Sequence, residues 1–453
     1  GYDTSDRARN DALAGIYVDL VNNRRAQAAV SGEEDYASAV DWDSYGRTYD
    51  RDEIERFSAA VKQEIVPVAG ELRELVMEWY IDGAFDRDFT PEELLSELRQ
   101  GIEAVSPELV PAWEYMTEQK LYDISWSGSK ADGAYTTIFS YADAPFLYMQ
   151  PMAEGSDFST IVHEFGHFNA FYCSEDPFAV NLDLAEIHSQ ALELLMLEQY
   201  DQVFGEDSAP EQVYTIYRIL ESLLDGCMVD ELERWAYQEP DLTVEKMNRK
   251  YMELEKEYGF REQNDPSQEA YEWVVIHHIY EYPLYYLSYS VSAAGALAIW
   301  RNALEDRDAG IESYLELVAL GEDQEFFYAL RQVGVGDPMS QESMAAIAAA
   351  ASDEVRRLLE GETAETGAFA SEPEPPERTE APVPSAQEIT PQPSSCPGTA
   401  APEPGPESES RPELPSLPGI VRNILFGVVA LVLLVDVSSA VVAILLYRRE
   451  KRK

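Results

Sequence analysis

His163-Glu164-Phe165-Gly166-His167 is the stretch best equipped for chemistry. Two histidines at i and i+4 share one face of a helix, about one turn apart, so both rings can reach the same cation. The glutamate beside them can take a proton from an attacking water. This is the H-E-x-x-H pattern of zinc hydrolases. Its setting suits a helix: Ile161, Val162, Phe165 and Phe168 form an apolar stripe, and Ser156 or Asp157 is placed to cap the start. The chain has only five histidines, His163, His167, His188, His277 and His278, all in two short clusters.

Zinc needs a third protein ligand and an open position. The expected ligand is Glu186, in Asp183-Leu184-Ala185-Glu186-Ile187-His188-Ser189. This segment reads as a second helix, with Leu182, Ile187, Leu194 and Leu195 on its apolar positions. Glu193 lies two turns beyond Glu186 and can accept the remaining N–H of a ligand imidazole. A lone glutamate is more often a solvated surface charge, and Asp183 and Glu175 are the alternative ligands.

The pairing of His-Glu-Phe-Gly-His with Glu-Ile-His-Ser-Gln, nineteen residues after the second histidine, resembles the thimet oligopeptidase and oligoendopeptidase F family of zinc metallopeptidases. The runs Ile276 to Tyr289, Cys227 to Leu232 and Lys130 to Tyr135 add to the likeness, which is nearer to the oligoendopeptidase F branch and covers most of residues 10–350. The resemblance implies that His163, His167 and Glu186 bind one Zn2+ per chain, with Glu164 as base and later acid. It implies that Tyr286 and Tyr289 donate to the oxyanion. His277 with Tyr282 fits the thimet spacing, and His278 fits the oligoendopeptidase F spacing; all three are expected to bind substrate. A packed aromatic helix face would explain any one of these tyrosines equally well. Ala170 replaces a histidine frequent in the thimet branch, at a position that is not a ligand.

The implied fold is mainly α, a helical zincin-like metallopeptidase with the metal helices at the floor of a deep cleft and one small β-sheet. The implied reaction is hydrolysis of internal bonds in short unfolded oligopeptides. Two alternatives stay open: a catalytically impaired, membrane-tethered peptide-binding protein, and a zinc carboxypeptidase.

The elements that must position these residues are legible in part. Residues 1 to about 130 read as helical, with Ile54, Phe57, Val61 and Ile65 at helical spacing. Thr90-Pro91-Glu92-Glu93 is a helix start with cap, proline and capping-box glutamate. Ala134–Phe139 and Pro145–Met149 read as a hairpin whose edge can bind an extended peptide through main-chain bonds. Helical patterns then run from Phe158 to about Leu359.

Residues 1–360 are thus expected to form the catalytic domain. Residues 361–418 hold 14 of the 26 prolines and few large apolar residues, the composition of a disordered linker. Residues 419–447 contain an apolar run, Ile424 to Leu446, long enough to span a bilayer. Residues 448–453 are basic and expected to be cytoplasmic, which places the catalytic domain outside a cell membrane on a single-pass anchor. Asp436 within the span is either a tolerated lone charge or a contact to another membrane helix. An exported domain needs a signal that the stretch from Gly1 lacks, so the sequence is expected to be a fragment or processed form, with part of the family's N-terminal lobe missing.

Of the formal charge of −52, the linker carries −9 and residues 419–453 carry +4, which leaves −47 on residues 1–360. Such a field opposes nucleic acid and could draw in cationic peptides. Three cysteines lack any C-x-x-C spacing, and Cys173 and Cys227 are expected to be buried free thiols.

Overall fold

The structure is a computed structural model and describes residues 2–365 except 34, 140, 141, 177, 179 and 322. The expected anchor, basic tail and nearly all of the expected linker lie outside the described residues. Among the described residues, no helix is long and apolar enough to cross a membrane.

The N-terminal third is helical: α1 (Tyr2–Ser31), α2 (Tyr36–Asp43), α3 (Arg51–Ala60), α4 (Val66–Asp82), α5 (Pro91–Val105) and α6 (Val110–Glu118). A π-helical turn, Val61–Ile65, joins α3 to α4 just before Pro67, which has no N–H to offer the ladder. Ile54, Phe57, Val61 and Ile65 are all buried, as their spacing predicts. The capping box at Thr90 and Glu93 is formed in both directions.

Three strands follow: β1 (Tyr122–Ile124), β2 (Gly133–Phe139) and β3 (Ala144–Gln150). β2 and β3 form the expected antiparallel hairpin, with Tyr135 opposite Tyr148. β1 pairs parallel to β3 and was not expected, because three residues carry too little alternation to be read. The order β1-β3-β2 leaves β2 at one edge.

The remainder is helical: α7 (Ser156–Cys173), α8 (Leu182–Leu195), α9 (Tyr200–Phe204), α10 (Ser208–Gln238), α11 (Val244–Glu257), α12 (His277–Glu281), α13 (Tyr286–Glu305), α14 (Arg307–Leu320), α15 (Phe326–Gln332) and α16 (Gln341–Glu365). The helix α16 continues through Gly361, where the linker was expected to begin, to Glu365, where the described residues end. The core is built where α13 lies along α8 and α10, and α7 lies along α8 and the hairpin.

Cys227 is a buried free thiol. Cys173 is only partly buried, which differs from the expectation of a second buried thiol.

Candidate active site

α7 and α8 approach each other unusually closely. A Cβ on Gly166 would stand 2.6 Å from the Ser189 Cα and 2.7 Å from the His188 carbonyl oxygen. The fourth residue of the H-E-x-x-H motif is therefore glycine for a packing reason: it admits the α8 backbone. That contact carries Glu186 to the two imidazoles.

The expected ligand atoms converge. His163 Nε2 and His167 Nε2 are 3.2 Å apart, and Glu186 Oε2 is 3.3 Å from the first and 3.4 Å from the second. Tetrahedral zinc ligands at about 2.0–2.1 Å from the ion stand roughly 3.3 Å from one another. All three edges of this triangle thus fit one zinc ion, and His167 and Glu186 are buried. Of the alternative ligands, Glu175 is exposed and Asp183 is paired with Arg47.

The surrounding groups orient the triangle. Glu193 is fully buried and its Oε1 lies 2.8 Å from His163 Nδ1, which leaves Nε2 for a metal. Arg218 donates to the other Glu193 oxygen at 2.7 Å. Ser189 donates to Glu186 at 3.2 Å. Without a metal, burial opposes a charge on His163, but Glu186 and Glu193 outweigh it and hold the ring up at about 10. Burial also opposes the Glu186 charge, and the two imidazoles again outweigh it, keeping the carboxyl well below its ordinary range.

Glu164 is buried beside this group, and burial raises its pKa against the pull of His163 and His167. Thr136 of β2 holds it: the hydroxyl lies 2.8 Å from Glu164 Oε2 and 2.9 Å from the Glu164 carbonyl oxygen. The edge strand is thereby tied to Glu164. Neither Thr136 nor Arg218 was found from the sequence, since a threonine in a strand and an arginine in a helix carry no signal of their own.

The start of α7 differs from expectation. Ser156 is its first residue rather than its cap, and among the described residues no side chain caps the N-terminus. Asp157 instead accepts the backbone N–H groups of Met152 and Ala153 at 2.8 and 2.9 Å, which fixes the approach to the helix.

Glu211 of α10 lies directly against this start, where a Cβ on Gly155 would overlap its Oε1. That oxygen is buried with no hydrogen-bond partner among the described residues. Burial first, then Asp207, pushes the carboxyl up to about 8, against Arg218 and Arg87. A carboxyl raised in the folded state contributes stability below its unfolded value of about 4.5, and this is lost as pH rises through about 8. Glu211→Gln is therefore expected to stay near the parent at pH 5 and to exceed it at pH 9 by roughly 4 kcal/mol, at about 1.4 kcal/mol for each pKa unit. Urea unfolding at the two pH values measures this. An equal difference at both would remove the assignment.

In the aromatic cluster, His277 is exposed, whereas His278 is buried. The structure thus draws in the histidine of the oligoendopeptidase F spacing. The His278 ring stacks on Tyr285 at 5.0 Å, and its Nε2 lies 3.4 Å from the Tyr289 hydroxyl. Burial, with a smaller push from His277, lowers the His278 pKa to about 3, so the ring is neutral. Tyr286 and Tyr289 are buried, with rings 5.4 Å apart, and Tyr282 is partly buried, 6.5 Å from the His278 ring. Tyr285 was missed by sequence reasoning. Its only signal was adjacency to Tyr286. Burial first, and the Glu186 charge with it, raises the pKa of both Tyr285 and Tyr289.

Two imidazoles and a carboxylate gathered by a helix pair beside an edge strand suit a helical metallopeptidase. The sequence profile of peptidase family M3 matches residues 114–349, and the chain belongs to that family. Oligopeptidase PepF of Bacillus subtilis (strain 168) is 23% identical over 259 residues, covering 54% of this chain and 38% of that protein. An oligoendopeptidase F homolog of Lactococcus lactis subsp. lactis (strain IL1403) is 26% identical over 232 residues, covering 48% and 38%. The chain thus matches well under half the length of either relative. Among solved structures, one assigned as an oligoendopeptidase F aligns with a TM-score of 0.68 at 25% identity, over 78% of this chain and 66% of its own. PZ peptidase A with an inhibitor shares the fold, with a TM-score of 0.67 at 24% identity, over 79% and 66%.

Proposed function

We propose that this chain is the catalytic part of a zinc metalloendopeptidase that cleaves internal bonds of short unfolded oligopeptides. The observation that carries this reading is the buried triangle of His163, His167 and Glu186, whose edges of 3.2–3.4 Å suit one zinc ion. A zinc ion held there supplies Lewis acidity at the scissile carbonyl and acidifies the attacking water.

The protein's own groups do the rest. Glu164, oriented by Thr136, takes the proton of the attacking water and later passes it to the leaving amine. Its raised pKa suits a group that must both accept and return a proton. The Tyr289 and Tyr286 hydroxyls donate to the carbonyl oxygen as it gains charge. His278, neutral and within 3.4 Å of the Tyr289 hydroxyl, orients that donor. β2 offers its outer edge beside the base, so an extended peptide can bind through main-chain bonds with little regard to sequence. The apolar run Ile424 to Leu446 and the basic residues after it support an outward-facing, membrane-anchored placement on sequence alone.

The test uses the full chain with zinc and quenched peptides, some blocked at both ends and some with a free C-terminus. Internal cleavage of blocked peptides, abolished by a chelator and restored by zinc, is the expected result. Trimming from the C-terminus alone would make the protein a carboxypeptidase. Binding without cleavage would make it a capture protein.

A further inference from the structure

The two arms of the site come from different helices, and one buried guanidinium touches the roots of both. Arg47 follows α2 and its side chain is 0% exposed. All five of its N–H donors are engaged. Nη1 donates to Asp41 at 2.8 Å and to the Leu284 carbonyl oxygen at 3.0 Å. Nη2 donates to Ser288 at 2.9 Å and to Asp183 at 3.4 Å, and Nε also faces the Asp183 carboxylate at 3.4 Å.

Each acceptor stands at a telling place. Asp183 lies in the first turn of α8, three residues before Glu186, and also accepts the hydroxyls of Tyr49 at 2.7 Å and Ser288 at 2.6 Å. Leu284 precedes Tyr285 and α13, and adopts a left-handed backbone with φ of 62°. A leucine there is strained and persists only where its surroundings hold it. Its carbonyl is held by Arg47, and its N–H donates to the buried Glu233 at 2.9 Å. Ser288 and Ser292 of α13 reach Asp183 as well, the second through its backbone oxygen at 2.8 Å. Asp41 is shared with Arg234, which steadies the far side of the guanidinium.

We propose that Arg47 is a positioning residue. It locks the turn of α8 that carries Glu186 against the strained Leu284 turn that launches Tyr286 and Tyr289, so that both arms address one carbonyl. This rests on the peptidase reading above. Residue 47 lies outside the stretch 114–349 that matches the family profile, so the working site is larger than that stretch. Lysine cannot replace the fork: it keeps the charge but has three donors at one point.

The test compares the zinc-loaded full chain with Arg47→Lys and with Tyr49→Phe. The second variant removes one bond to Asp183 and keeps the ring against Phe326 and Phe327. Arg47→Lys is expected to keep its zinc, hold KM within about 2-fold and lose kcat by ~10²-fold, the size of effect that a displacement of about 1 Å produces. Affinity for a phosphinic peptide, a mimic of the tetrahedral species, should fall in proportion. Tyr49→Phe should follow the same split more weakly, and its result decides the matter if Arg47→Lys does not fold. Unchanged kcat, a loss explained by missing zinc, or unchanged phosphinic affinity would each overturn the lock. If the parent chain cleaves no peptide, the peptidase reading fails separately. Amide hydrogen exchange then judges the lock: faster exchange confined to 182–186 and 277–289 supports it, and parental exchange there overturns it.

Discussion

Glu164→Gln should leave a folded, zinc-binding protein that turns over peptides on the order of 10³-fold more slowly. The carboxylate lies beside the metal triangle but is not one of its corners. Its removal therefore takes away a proton acceptor and not a ligand. The Thr136 hydroxyl can donate to an amide oxygen as it does to the carboxylate, so the side chain should keep its place. Burial already disfavours the Glu164 charge, so a neutral amide should cost the fold little and could add stability. The expected signature is a collapse of kcat with KM and zinc content near parental values. Quenched-peptide kinetics beside metal analysis of the same sample would test it. Parental turnover in a homogeneous, zinc-loaded Gln variant would end the proposed mechanism.

The second large effect concerns Glu186. Glu186→Ala removes the corner of the triangle that stands 3.3 and 3.4 Å from the two imidazole nitrogens. Partners one step removed from a metal typically change affinity by about 10–100-fold, and a direct ligand should exceed that. A loss of zinc affinity of at least ~10²-fold is expected, with turnover lost at ordinary zinc concentrations. The change also removes a principal cause of the raised His163 pKa, so the metal-free imidazoles should titrate lower. Competition with a chromogenic chelator measures the first effect, and histidine NMR of the metal-free protein the second. Undiminished zinc affinity would move the third ligand elsewhere and break the site as drawn.

Much of the local structure could be read from the chain. The spacing of His163 and His167 places both rings on one helix face, because a helix repeats every 3.6 residues wherever it forms. The capping box at Thr90, the stripe from Ile54 to Ile65 and the hairpin about residues 133–150 follow from equally short-range rules. The acidity of residues 1–360 and the apolar run near the C-terminus are matters of composition, which no fold can alter.

The tertiary structure settled which of several plausible groups stand together. Glu186, Asp183 and Glu175 were all candidates by sequence, and only the close approach of α8 at Gly166 brings the first to the imidazoles. His278 was separated from His277 by burial alone. Thr136, Arg218 and Arg47 reach partners 28, 25 and 136 positions away, and none belongs to a periodic pattern. The physical reason is the range of the forces involved. Helix and strand periodicity is set by bonds between near neighbours, whereas the meeting of a carboxylate with an imidazole depends on how whole helices pack, and that is a property of every side chain in the core at once.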